Sequence, residues 1–214
     1  PEMTVDQYEQ ITEEYYRNII EKDLVPEIYR GHEVAVHTLT HPLLPTLEEA
    51  EVIRQVEEDR KNLSALCGYE VVGMAYPGGG VNYDERVAEI IRKSTGVRYA
   101  RTTVSTHAFD EQTELHRFHP SVYYIEEGLE DVVDAFLAAE CEEPQLLYVW
   151  GHSYEFAQKN NWEHLHELLD ILAHKEDTWY ATNKDVFSYI LQERRWESLQ
   201  RHRHREKKMC MVKK

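Results

Sequence analysis

VVGMAYPGGG, Val71 to Gly80, decides how this chain is read. Apart from Gly73 its first six residues are apolar or aromatic whichever face they occupy, and a proline and three glycines then end the run. A strand that is apolar on both faces is buried on both, as in a parallel sheet covered by helices. LLYVWGH, Leu146 to His152, has the same character. Further β-branched or aromatic runs at 34–37, 98–103, 116–124 and 178–182 predict four more strands. Apolar residues spaced by three and four predict helices over 5–20, 47–66, 84–93, 129–139, 162–173 and 184–199. Thr46 or Pro45 is expected to start the second helix and Asn183 to cap the last. Strand alternating with helix is an α/β pattern, an open sheet or a barrel.

The 214 residues suit one domain, with 42% hydrophobic residues to build its core. There are 24 Lys and Arg against 40 Asp and Glu, a formal charge of −16. Such a body repels phosphate backbones and anionic lipid, so nucleic acid and membrane are not its partners. No run of about 18 apolar residues is present to span a membrane. From Arg194 the composition reverses: RRWESLQRHRHREKKMCMVKK is basic, and residues 194–214 are read as a solvated tail after a domain over 1–193. Cys67, Cys141 and Cys210 are an odd, widely spaced set. They suit a reducing compartment better than a disulfide framework. The N-terminus, PEMTVDQYEQ, is no signal peptide, and a cytoplasmic location is favoured for the chain as it stands.

Three strands deliver chemistry to one edge. GHEVAVHTLTHP, Gly31 to Pro42, ends its strand at His37 and adds His41 four residues on; VVGMAYP runs into the glycine turn; LLYVWGH ends at His152. In parallel α/β folds the ligand site lies beyond the carboxyl ends of the strands. Neutral imidazole is a common Zn²⁺ ligand, and a helical turn after His37 would face both rings one way. Two histidines do not complete a zinc site, so the pair is read either as two ligands or as polar strand-end residues. Thr38 stands where a zinc protease motif needs glutamate, which excludes that class. His152 is a candidate general acid or base, or a strand-end histidine bonded to a carbonyl. The Tyr76–Pro77–Gly78 turn lacks the lysine and spacing of a nucleotide loop but suits close backbone approach to a ligand. Trp150, Trp162, Trp179, Tyr154 and Tyr180 are sugar-stacking candidates or core.

With these pieces in place the chain resembles the polysaccharide deacetylases, the NodB-homology enzymes of the family-four carbohydrate esterases. HTLTH matches the family's H-[ST]-x-x-H motif, which implies His37 and His41 as two of three metal ligands. LLYVWGHSYEF matches the strand carrying the family's L-x-H motif, which implies His152 as catalytic. GMAYPGGG takes the place of the arginine–proline–tyrosine motif, and YARTT and WYATN follow in the order of a bacterial branch. The resemblance spans about residues 28–191. It implies a distorted (β/α) barrel of about seven strands, a divalent metal with Zn²⁺ foremost, and an acetylated carbohydrate substrate, N-acetylated before O-acetylated. Tyr76, Pro77, Gly78, Trp150 and Tyr154 are the expected substrate contacts.

The chain departs from the family pattern in three places. No FDDG-like segment supplies the base and the third ligand, Ala75 stands where the arginine is expected, and ELHRFHPSVYY has no counterpart of the fourth motif's aspartate. The expected domain therefore lacks its first strand, through truncation or through loss in an inactive relative. Asp110, Glu114 and Glu155 are the carboxylates available as substitutes. A deacetylase with an incomplete metal site and low turnover is the leading expectation. A carbohydrate-binding relative is second, and an interaction protein with acidic body and basic tail third.

Overall fold

The computed structural model describes residues 21–141 and 143–192. The helix expected over 5–20, the end of that over 184–199, Cys210 and the basic tail lie outside the described residues. After a helical turn at Val25–Ile28 come helices α1 (Glu49–Cys67), α2 (Glu85–Ser94), α3 (Leu129–Leu137), α4 (Ser153–Lys159), α5 (Trp162–Leu172) and α6 (183–192). The strands are β1 (Gly73–Ala75), β2 (Tyr99–Arg101), β3 (Val122–Tyr123) and β4 (Val149–Trp150). None of these helices is long and apolar enough to cross a membrane. Cys67 and Cys141 are free.

Local chemistry sets the helix ends. α2 starts at Asp84, whose Oδ1 accepts the Val87 N–H at 2.7 Å, an N-cap bond. α1 starts later than expected because the Thr46 hydroxyl donates to Leu43 O and closes a 3₁₀ turn, Leu44–Thr46, leaving Glu48 at the cap. Thr182, not Asn183, caps α6: its Oγ1 accepts the Asp185 N–H, while the Asn183 amide donates to Tyr148 Oη at 2.8 Å. α4 was not expected; it buries only Phe156 and closes on Asn160 at φ 50°, too little apolar periodicity to read from sequence.

All pairing is parallel. β1 pairs with β2, Ala75 opposite Arg101, and β3 with β4, Tyr123 opposite Trp150. Single bridges add Val36 beside Met74 and Phe118 beside Arg101. The paired segments thus succeed one another in chain order, which is the winding of a (β/α) barrel. Two- and three-residue strands form small sheets, however, and among the described residues the pairing does not close. The run 178–182, expected as a strand, forms none.

Neighbouring residues of β2 enter different cores, as a sheet buried on both faces requires. Ala100 packs with Val36, Met74 and Tyr76 against Val52 and Val56 of α1 and Val87, Ile90 and Ile91 of α2. Tyr99 and Phe118 pack with Phe187 and Ile190 of α6. A third cluster joins Val122 to Leu129, Val133 and Leu168, covering the second sheet with α3 and α5. At the amino ends of the strands Glu33 accepts from Tyr99 Oη and, at 2.7 Å, from Lys184 N in the first turn of α6. A carboxylate at a helix N-terminus is favourable, although burial raises the Glu33 pKa.

Gly151, between β4 and α4, has no room for a side chain: an added Cβ would overlap the ring of Tyr124, itself buried against Phe156. Gly151→Ala is expected to cost about 1–3 kcal/mol through overpacking. A lower denaturation midpoint at unchanged denaturant slope would report it; an unchanged midpoint would contradict this packing.

Candidate functional site

The strand-end loop carrying His37 and His41 is pinned from α1. Asp59 Oδ2 accepts the His37 N–H at 2.9 Å, and the Gln55 side chain accepts from Thr40 N and donates to Thr40 Oγ1. Thr38 and His41 both take left-handed backbone, φ 72° and 54°, conformations costly for residues with a Cβ and concentrated at functional sites. This bend, instead of the expected helical turn, brings the two imidazoles together with ring centroids 5.0 Å apart, edge to face.

Each ring has a definite partner. His37 Nδ1 lies 2.8 Å from Ala75 O. A carbonyl only accepts, so Nδ1 carries the proton and Nε2 the lone pair. The ring is accessible from the cleft yet crowded by protein, and that desolvation, with smaller effects of His41, Arg101 and His152, lowers its pKa against the bond to Ala75. His41 Nε2 accepts the Gly78 N–H at 3.1 Å, so the glycine turn does approach the pair with its backbone. Gly78 holds φ 77°, which explains glycine there.

His152 is the N-cap of α4. Glu155 Oε2 accepts its backbone N–H at 3.2 Å and stands 3.2 Å from its Nδ1, an ion-pair contact whose angles are not those of a hydrogen bond. Glu155 also accepts from Tyr123 Oη. Burial raises the Glu155 pKa, but the bonds from Tyr123 and His152 outweigh it and the net shift is downward. Tyr154 is exposed, its ring 5.0 Å from that of His152.

Three of the expected substrate contacts, Tyr76, Pro77 and Trp150, are packed against other side chains. Tyr76 is 1% exposed; its ring stacks on Tyr83 in the core and its hydroxyl donates to His116 O. Pro77 is buried beside it. Tyr123 stacks on the Trp150 indole at 4.3 Å and the Arg101 guanidinium carbon lies 4.5 Å from its centroid. Both groups pack on the indole, whose Nε1–H is buried and unpartnered. Trp179 and Tyr180 are exposed, but the Tyr180 hydroxyl is tied to Leu172 O, away from the histidines.

The residues do not complete a metal centre. Among the described residues no group of three His, Cys, Asp or Glu is placed to hold a metal ion. Glu155 is engaged by Tyr123, Glu114 pairs with Arg117, and Asp110 is exposed. Of the pair, His37 has its other ring nitrogen bonded to a backbone carbonyl, as ligand histidines commonly do; the His41 Nε2 lone pair is already taken.

Sequence reading missed Arg101, Asp59 and Gln55. The α1 pair had a signal, two polar residues four apart beside the apolar stripe of Val52 and Val56; Gln55 is 3% exposed. Arg101 lies within the YARTT run, but nothing in the sequence gives its facing, which depends on register.

Residues 4–100 match the sequence model of the polysaccharide deacetylase family and form a polysaccharide deacetylase-like region. The match takes in His37, His41 and the glycine turn and stops one residue before Arg101, short of Trp150 and His152. No curated protein and no solved structure matches the chain.

The buried setting of His37 fixes a pH response. Its folded pKa lies below the ordinary 6.5, so as pH falls the unfolded chain takes up this proton first. The contribution is full above 6.5 and is lost as pH drops through the folded value. NMR titration is expected to give His37 a midpoint below 6.5 with the Nδ1–H tautomer, and His37→Gln should reduce the loss of stability over that range. A midpoint at or above 6.5 would refute the desolvated setting.

Proposed function

With residues 4–100 a polysaccharide deacetylase-like region, we propose that this protein is a hydrolase that removes acetyl groups from N-acetylated carbohydrate. O-acetylated sugars are the lesser target. The observation that carries the reading is the edge-to-face pair of His37 and His41 after a strand of the deacetylase-like region, with His152 after a second parallel strand.

The reaction adds water to the acetyl carbonyl carbon, breaks the C–N bond and yields acetate and a free amine. His37, neutral and with its lone pair on Nε2, supplies a base or a cation ligand. His152 supplies the proton that the leaving amine needs, with Glu155 holding its backbone and standing beside Nδ1. Gly78 gives backbone access at the turn and Tyr154 an exposed aromatic face beside His152.

The expected metal is Zn²⁺, with His37 and His41 as its protein ligands. Two imidazoles fall short of the three that a catalytic zinc uses, so no step is routed through the ion. The incomplete set also favours a second reading, a relative that binds acetylated carbohydrate without turning it over.

Acetate release from N-acetylated glucosamine oligosaccharides, with and without added Zn²⁺, separates the two. Slow turnover abolished by His152→Ala, with weak Zn²⁺ binding lost in the His37→Ala, His41→Ala double variant, is expected of the hydrolase. Saccharide binding that survives chelator and His37→Ala, with no acetate released, would establish the binding relative. Neither turnover nor binding would remove both.

A further inference from the structure

Five other arginines of the described chain have side-chain partners. Arg54, Arg60, Arg92 and Arg117 each bond a glutamate three residues earlier, Glu51, Glu57, Glu89 and Glu114. Arg86 donates to the carbonyls of Pro45 and Leu47. Arg101 is different. It is part-buried on β2, flanked in the parallel register by Ala75 on one side and Phe118 on the other, with its guanidinium over Trp150. Its hydrogen bond is to the carbonyl of Thr102 at 2.9 Å through Nη1. Among the described residues no carboxylate bonds or pairs with it, in a protein with 40 of them. Burial pushes its pKa down, yet a guanidinium stays charged in any protein setting.

A desolvated cation without a counter-ion is costly and needs an account. A guanidinium over an indole face still carries N–H donors in a fixed fork, the geometry that receives a carboxylate on two parallel bonds. The indole Nε1–H of the same Trp150 is a second donor, buried and unpartnered. Ala75 opposite Arg101 contributes only a methyl group and no charge. The site adjoins the histidines, since Arg101 acts on the His37 pKa.

We propose that Arg101 and the edge of Trp150 form a carboxylate-binding subsite beside the histidines. Two sources share this chemistry: the acetate that deacetylation releases, and the carboxylate of an acidic sugar unit. Both sources rest on the proposed function, the first on deacetylation and the second on carbohydrate binding, whereas carboxylate binding itself does not.

The test uses the full chain and no turnover. Acetate, glucuronate and neutral glucose are titrated separately at constant ionic strength in chloride, following the Trp150 indole N–H resonance, assigned with Trp150→Phe. Saturable binding of a carboxylate that moves this resonance is expected, weakened about tenfold in Arg101→Gln by loss of the charge. Arg101→Lys keeps a charge but loses the fork; it should bind with intermediate affinity and guards against a Gln variant that fails to fold. Equal affinity for acetate and glucuronate assigns the site to the released acid. Tighter binding of glucuronate than of acetate, with glucose inert, assigns it to an acidic sugar. No saturable binding, a response that chloride alone reproduces, or affinities unchanged in both arginine variants would overturn the proposal. Acetate release is measured separately, so a failure of the deacetylase reading leaves this result standing.

Discussion

In a parallel ladder a residue's neighbours are settled by register, and a slip of one residue would move every side chain to the other face. Here Val36 stands beside Met74, Ala75 beside Arg101 and Tyr123 beside Trp150. The first pairing turns Val36 into the core and leaves His37 to bond Ala75 O. The second lays Arg101 against a methyl group, and the third stacks Tyr123 on the indole that Arg101 also packs on. The chemistry of the cleft follows from strands of two or three residues because helices on both sides hold them in that register. α1 does more than cover: through Gln55 and Asp59 it holds the bend that turns His41 back toward His37.

The charges divide in the same way. Surface arginines pair with glutamates three residues earlier on their own segment, contacts worth a few tenths of a kcal/mol each. Those pairs ask nothing of the fold. At the two ends of the strands the ionisable groups depend on it. Glu33 at the amino ends ties Tyr99 to the start of α6. Arg101, His37 and His152 toward the carboxyl ends gather donors and imidazoles, with Glu155 beside His152 and Asp59 on the His37 N–H. The amino end is satisfied by protein groups. The carboxyl end is left with the unpartnered Trp150 Nε1–H and an unpaired guanidinium, the asymmetry expected of parallel α/β folds, whose ligands sit at the carboxyl edge.

Polar residues at strand ends, glycines that break a buried run and apolar spacing were enough, from the sequence by itself, to determine the α/β class and most helices, and to single out His37, His41, His152 and the glycine turn as candidates. Each of these signals is local: a strand's direction says which of its ends a histidine occupies before any partner is known. Tertiary structure alone decided the rest. Tyr76 went to the core and Trp150 packed against neighbours remote in the chain, because aromatic side chains are placed by what they pack against. Arg101 came to lie beside the histidines because the register set it opposite Ala75, and α4 formed on a capping contact and one buried phenylalanine. Sequence periodicity carries no register between strands, and a side chain's partner across a ladder is a matter of register alone.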